Sequence, residues 1–469
     1  MNPGPAPARR ELAFHADNGG TFTTTWGQRY IRAEIQRVAP ADEWNRQFRC
    51  YLPPGEDGPV TVDHALAIVR TLIERHVALR TRFRLDPLGG VAEQIVDAGG
   101  RIGVDIIAEA DPDRCEEALS AHLNAWTSQP FDLEWDTPVR IALGVCGAGA
   151  HLIGIVAPHV NLDGAGTVAV VEDLHRIIAG RTPEPVVFDP LAAAAEESGA
   201  SGRERSRRAL ELMRPAIQAA ADNPLRTARH SPATPMAQAA SLSTDPFQSA
   251  HEYLARKLAL FASGAITLVA AATAIHRVLG VGRTVFKVEC ANRWSPTTRS
   301  YIGHRAQPIY IAAAGDTGDT AAEIRAVDRA IRTAARHCPH DPDAVQALIE
   351  EAGADTSIFF NDLRALATDP APHTPRPDLA DAFLHPDDEP PAMPLIHHDP
   401  NTVDSGPHRI KMAMHLTSHE DRLTLSLAAE DIYLDATEVS ALLHEIGRTV
   451  IDLAREQYRS ADGALRDGA

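Results

Sequence analysis

Along the first third of the chain the apolar positions change period several times. VDHALAIVRTLIER (Val62 to Arg75) repeats apolar residues at helical spacing, whereas PVRIALGV (Pro138 to Val145) and HLIGIVAP (His151 to Pro158) are short, β-branched and bounded by glycines. That pattern predicts a helix and, later, two strands. Between the strands, CGAGA suits a hairpin. A phosphate-binding glycine loop opens a helix after its strand, and this one runs into another strand, so a nucleotide role is set aside. TVAVVEDLHRIIAG (Thr167 to Gly180) returns to helical spacing, with a glycine where a C-terminal cap falls. His159, Asp163 and Gly164 therefore lie on a turn between a buried strand and a helix start.

From Arg181 to residue 245 the composition shifts to Pro-, Ser- and Ala-rich pieces around one basic helix, RERSRRALELMRPAIQAAA, which reads as a connection between two lobes. The expected organisation is thus an N-terminal lobe over 1–180, a connection over 181–245 and a C-terminal lobe over 246–469. In the last of these, YLARKLALFASGAITLVAAATAIHRVLG predicts two helices split by Ser-Gly, and RTVFKVECANR predicts a strand ending at Arg293. The proline-rich DPAPHTPRPDLADAFLHPDDEPPAMP reads as a loop, and DRLTLSLAAEDIYLDATEVSALLHEIGRTVIDLAREQ as a strand followed by a long amphipathic helix. No fixed-period repeat is present.

At 469 residues and 44% hydrophobic content, the chain holds enough for two cores. Its 45 basic against 63 acidic residues give a net charge of −18, the wrong sign for a polyphosphate backbone or an anionic lipid surface. Neither nucleic acid nor membrane is expected as a partner. Five scattered cysteines without a CxxC pair suggest neither a disulfide scaffold nor a cysteine-rich zinc site. With no apolar run of signal-peptide or membrane-spanning length, a cytoplasmic protein is expected.

The turn APHVNLDGAG raises the question of chemistry. A lone histidine beside an apolar strand reads, on spacing alone, as a satisfied core residue. A catalytic reading, by contrast, needs a group that holds or deprotonates a nucleophile and a donor for an oxygen that becomes negative. A neutral His159 serves the first purpose. Backbone N–H groups at Gly164, where the helix starts, serve the second, and glycine allows close approach.

Several blocks, in order along nearly the whole chain, resemble the condensation domains of nonribosomal peptide synthetases and, more broadly, the chloramphenicol-acetyltransferase-like acyltransferases. PHVNLDG matches the family's His-His-x-x-x-Asp-Gly core, with Pro158 in the first-histidine place. RHVALRTRF (Arg75 to Phe83), PFDLEWDTPVRIAL (Pro130 to Leu143) and TTTWGQ (Thr23 to Gln28) match further blocks, as do ANRWSPTTRSYIGHRAQP and SIFFNDL (Ser357 to Leu363). Two blocks depart from the pattern: HRAQ stands where Phe-Val-Asn-Thr is expected after Ile302-Gly303, and HDPDAVQALIEE retains little of the His-Gln-Asp block.

The resemblance implies an α/β fold of two chloramphenicol-acetyltransferase-like lobes in a V-shaped pseudo-dimer with a central substrate tunnel. It implies a free-standing condensation enzyme that forms an amide or ester in secondary-metabolite biosynthesis. An acyl group on a carrier-protein thioester, acyl or peptidyl, passes to a small-molecule amine or alcohol. His159 and Gly164 are the implied catalytic positions. Asp163 is architectural and pairs with Arg293 of the other lobe, and Asn292 and Asn361 are implied to bind substrate. No cofactor is implied beyond the phosphopantetheine arm that delivers the donor. Two alternatives use the same sequence differently: a coenzyme-A-dependent acyltransferase, and a non-catalytic condensation-like binding module. The clusters His337, Cys338, His340, Asp341 and His397, His398, Asp399 lack a spacing that converges metal ligands, so no metal is expected. RERSRR reads as a solvated helix face, with a docking patch for an acidic carrier as its functional alternative.

Overall fold

The computed structural model describes residues 7–37, 44–55, 58–147, 149–181, 184–225, 228–229, 237–366, 383–384, 411–419 and 422–466. The chain forms two compact units, residues 1–203 with 291–306, and residues 204–290 with 307–469. The expected connection over 181–245 is divided between them. Helix Pro190–Ser198 belongs to the first unit, helix Ala200–Ala219 crosses from the first into the second, and the strand Ala237–Leu242 belongs to the second. Most of the proline-rich stretch and the whole of the His397–His398–Asp399 cluster lie outside the described residues.

In the first unit a five-stranded sheet runs in the order β1-β6-β7-β8-β3, with β1 Ala8–His15, β3 Arg46–Tyr51, β6 Gly99–Glu109, β7 Arg140–Cys146 and β8 Gly149–Ala157. Only β6 and β7 pair in parallel. A three-stranded sheet of β2 Gly20–Thr23, β5 Val91–Val96 and β4 Thr81–Leu85 completes the unit. The expected CGAGA hairpin is the β7–β8 turn, where Gly147 takes φ 59°, a left-handed conformation that favours glycine.

Alternate residues of β7 and β8 enter different cores. Ile141, Leu143, Ile153, Ile155 and Ala157 pack with helices Val62–Arg75 and Gly164–Ile178. Ala142, Leu152 and Val156 pack with Leu119 and Leu123 of helix Pro112–Thr127. Because helices cover both faces of the sheet, β8 is continuously apolar from Leu152 to Ala157 rather than alternating.

The second unit carries a six-stranded sheet in the order β11-β10-β12-β13-β14-β9. Its strands are β9 Ala237–Leu242, β10 Arg283–Cys290, β11 Gln307–Ala314, β12 Ile358–Asp362, β13 Met412–His419 and β14 Arg422–Glu430. The two helices expected around Ser-Gly are Asp245–Lys257 and Gly264–Leu279, and the long terminal helix is Ala436–Arg466. β10 stops at Cys290, short of the expected Arg293. Asn292 at φ 56° turns the chain out of the sheet, and residues 291–306 then join the first unit.

Candidate active site

β8 ends at Ala157, and the turn that follows is closed by Asn161 N–H and Leu162 N–H donating to the Pro158 carbonyl at 2.9 and 3.3 Å. The turn is anchored from below by Asn161, whose amide donates to Ala78 O and Thr81 O, both at 2.8 Å. Those acceptors lie in the Arg75–Phe83 block, so this block supports the turn. His76 of the same block holds Asp173 of helix Gly164–Ile178 at 2.6 Å, fixing that helix to helix Val62–Arg75.

His159 is 7% exposed. Its Nδ1 lies 2.7 Å from the Leu162 carbonyl, which can only accept, so the proton is on Nδ1 and the lone pair on Nε2. Arg46, the first residue of β3, lays its guanidinium along the imidazole, with Nε 3.2 Å from Nδ1 and Nη2 3.0 Å from Nε2. With Nδ1 already donating, Nη2 to Nε2 is the hydrogen bond. Burial, the Arg46 charge and the neighbouring His304 together hold the His159 pKa well below the ordinary histidine value, so the ring is neutral at pH 7.

Asp163 caps helix Gly164–Ile178 by accepting from Gly166 N–H at 2.6 Å. At 2% exposure it also accepts from Arg293 Nη1 and Nη2 at 2.9 and 2.8 Å, and from the Arg305 and Ala306 N–H groups at 2.7 and 2.9 Å. Burial alone would raise this carboxyl, but the Arg293 charge and the five donors outweigh it and hold the group far below the usual carboxylate range. The pair that the resemblance assigned to two lobes thus closes within one unit, because 291–306 folds onto Asp163. Gly166 shows how tight that packing is: a Cβ there would sit 2.6 Å from the Gly303 carbonyl and 3.3 Å from Arg293 Nη2.

The first unit therefore brings together His159, Asp163, Gly164 and Arg293, with Gly164 as the first residue of the helix. Asn292 is also here, but its amide donates to Arg305 O at 2.9 Å, while Arg305 Nε donates back to Asn292 O at 3.1 Å. Its side chain braces the 291–306 loop. Asn361 belongs to the second unit, on β12 opposite His415 of β13.

Elsewhere, Cys338 Sγ and His340 Nδ1 are buried 3.4 Å apart, and Asp341 caps helix Pro342–Ala352. In the basic helix, Arg207 and Arg208 pair with Glu204, and Arg207 also with Glu211, which offsets much of the patch's charge. Sequence reading missed Arg46 and His304. The second left a signal, since it stands in the block that departs from the family pattern.

No known protein-family model matches the chain. Over 125 residues it is 30% identical to tyrocidine synthase 3 of Brevibacillus parabrevis, an alignment that takes in 27% of this chain and 2% of that protein. The chain thus matches only a small fraction of the length of this curated relative. Among solved structures, one on condensation domain-mediated chain release from the enacyloxin polyketide synthase superposes with TM-score 0.66 at 16% identity, covering 93% of this chain and 83% of that one. The first condensation domain of the calcium-dependent antibiotic synthetase gives 0.60 at 15% identity, covering 93% and 97%. A chain in the complex of the X-domain and OxyB from teicoplanin biosynthesis gives 0.64 at 18% identity, covering 96% of each. Among the described residues no helix is long and apolar enough to cross a membrane.

Proposed function

This chain has the condensation-domain fold, and from that premise we propose that it joins an acyl group, held as a thioester on a carrier protein's phosphopantetheine arm, to an amine or hydroxyl. The observation that carries the reading is His159. It is buried, neutral, fixed in one tautomer by the Leu162 carbonyl, and offers Nε2 at the end of a sheet strand. A histidine so held is suited to take a proton from a nucleophile.

In the reaction the nucleophile's N–H or O–H takes the place of Arg46 Nη2 at Nε2, and its lone pair attacks the thioester carbonyl. His159 accepts the proton as the C–N or C–O bond forms, then returns it to the departing sulfur as the C–S bond breaks. The positive end of helix Gly164–Ile178 favours the transient oxyanion. Asp163 shapes this site and does not relay protons, because its oxygens already accept from five donors.

The test is product formation with acyl groups presented on a carrier and, separately, on coenzyme A. Faster turnover from the carrier supports the reading, and faster turnover from coenzyme A supports the coenzyme-dependent alternative. His159→Ala is expected to slow the step about 10²–10⁴-fold, the usual worth of a positioned general base. An unchanged rate in folded His159→Ala protein removes His159 from catalysis. A condensation-like binding module is the second reading, favoured by the arginine that covers Nε2. Absence of turnover by wild type with every donor and acceptor supports it.

A further inference from the structure

Position 158 is proline, so no imidazole stands directly before His159, yet the site contains two imidazoles. The second comes from the 291–306 segment. His304 donates from Nδ1 to the His159 carbonyl at 2.9 Å, and the two rings meet edge to face with centroids 4.9 Å apart. Gly27 makes this approach possible, because a Cβ there would stand 2.6 Å from the His304 carbonyl oxygen. The residue is 1% exposed, and burial lowers its pKa to about 4, so Nε2 carries a lone pair at neutral pH. That nitrogen has no hydrogen-bond partner among the described residues. A buried acceptor left without a donor is costly, and a bound group that supplies the donor is favoured by the same amount.

We propose that His304 Nε2 is a second hydrogen-bond acceptor for the nucleophile beside His159 Nε2, and that the pair selects a primary amine over a hydroxyl. The inference rests on the acyl-transfer reading above and narrows its acceptor. A hydroxyl has one hydrogen, which goes to His159 and leaves His304 unpaired. A primary amine has two, one for each ring, and its lone pair remains free for the thioester carbonyl. During attack one N–H proton passes to His159 and on to the leaving sulfur, while the other stays on the amide nitrogen and remains bonded to His304. His304 donates from Nδ1, so its neutral ring cannot also donate from Nε2 to an alkoxide. Discrimination against the analogue that lacks the second hydrogen is about tenfold to 100-fold, the usual consequence of one unpaired buried acceptor.

The experiment measures calorimetric binding of two stable acceptor mimics to the full chain at about pH 9, where an α-amine is the free base. One is the glycyl amide of aminopantetheine, and the other is its glycolyl counterpart, with hydroxyl in place of amine. His304→Asn keeps an N–H where Nδ1 donates to the His159 carbonyl and deletes Nε2. His304→Gln places a carbonyl oxygen near the Nε2 position. Wild type is expected to bind the glycyl mimic about 10–100-fold tighter than the glycolyl one. His304→Asn should abolish that preference while changing glycolyl affinity less than about threefold, and His304→Gln should restore part of it. A preference that survives in His304→Asn, or none in wild type, overturns the assignment. If wild type still forms product in either case, acyl transfer stands and only the role of His304 is lost. If wild type binds neither mimic and turns over no acceptor, both readings fall together.

Discussion

Replacing Arg293 with alanine strips two charged donors from a carboxylate that is 2% exposed and leaves it three backbone N–H groups, from Gly166, Arg305 and Ala306. It also deprives the Ala291, Tyr301 and Gly303 carbonyls of the guanidinium that bonds them at 2.8, 3.3 and 3.0 Å. Breaking a buried ion pair from one side costs about 3–5 kcal/mol, and the three remaining donors place this case near the lower end, about 3 kcal/mol. For a unit of this size the loss corresponds to a drop of about 6–12 °C in melting temperature. Calorimetry of wild type, Arg293→Ala and the double variant Arg293→Ala/Asp163→Asn tests the reasoning. The double variant no longer buries a charge, and its amide can still accept from the helix cap, so it should recover part of the loss. The deficit of Arg293→Ala should shrink as pH falls, because protonating Asp163 removes the unpaired charge. A single variant that melts within about 2 °C of wild type, where a broken buried pair costs several times that, refutes the clamp.

Arg46→Met removes the positive charge from the face of His159, so the imidazolium becomes less unfavourable and the acid limb of the pH–rate profile moves to higher pH. A limb that stays in place separates Arg46 from the base. Gly166→Ala places a methyl 2.6 Å from the Gly303 carbonyl, and the 291–306 segment should loosen, detected as faster amide exchange across it. Unchanged exchange contradicts the packing. His76, His159, His251, His304 and His340 all have pKa values lowered by burial, to about 3 for His251 and about 4 for His304 and His340. In the unfolded chain these rings bind protons near pH 6.5 while the folded ones resist, so stability is full at neutral pH and falls as pH drops from about 6.5 towards 4. Melting temperatures that are flat over that range contradict this burial.

Much of the fold was legible because period reports burial. The helix at Val62–Arg75 and the β7–β8 hairpin follow directly from apolar spacing. Hydrophobic spacing does not report which unit an irregular segment joins, and residues 291–306 have little regular structure of their own. What ties them to the first unit is an apolar anchor, Ile302 in its core, and one carboxylate on helix Gly164–Ile178 with the donors that converge on it. The resemblance supplied the Asp163–Arg293 pair but set it between two lobes, whereas residues 291–306 belong to the same unit as Asp163.

Arg46 was hidden for a different reason. In RQFRCY it is an ordinary arginine at a strand start, and nothing within the strand distinguishes it from Arg49. Register does: Arg46 pairs with Ala157, two residues before His159, so the guanidinium is carried to the imidazole by the β3–β8 ladder. A slip of one residue would turn Arg46 to the opposite face and leave the Nε2 lone pair without that donor. The site's basicity is thus set by strand pairing as much as by the motif. A reading that stops at His159, Asp163 and Gly164 finds the proposed base but misses the cation that lowers its pKa and the second imidazole set against its ring.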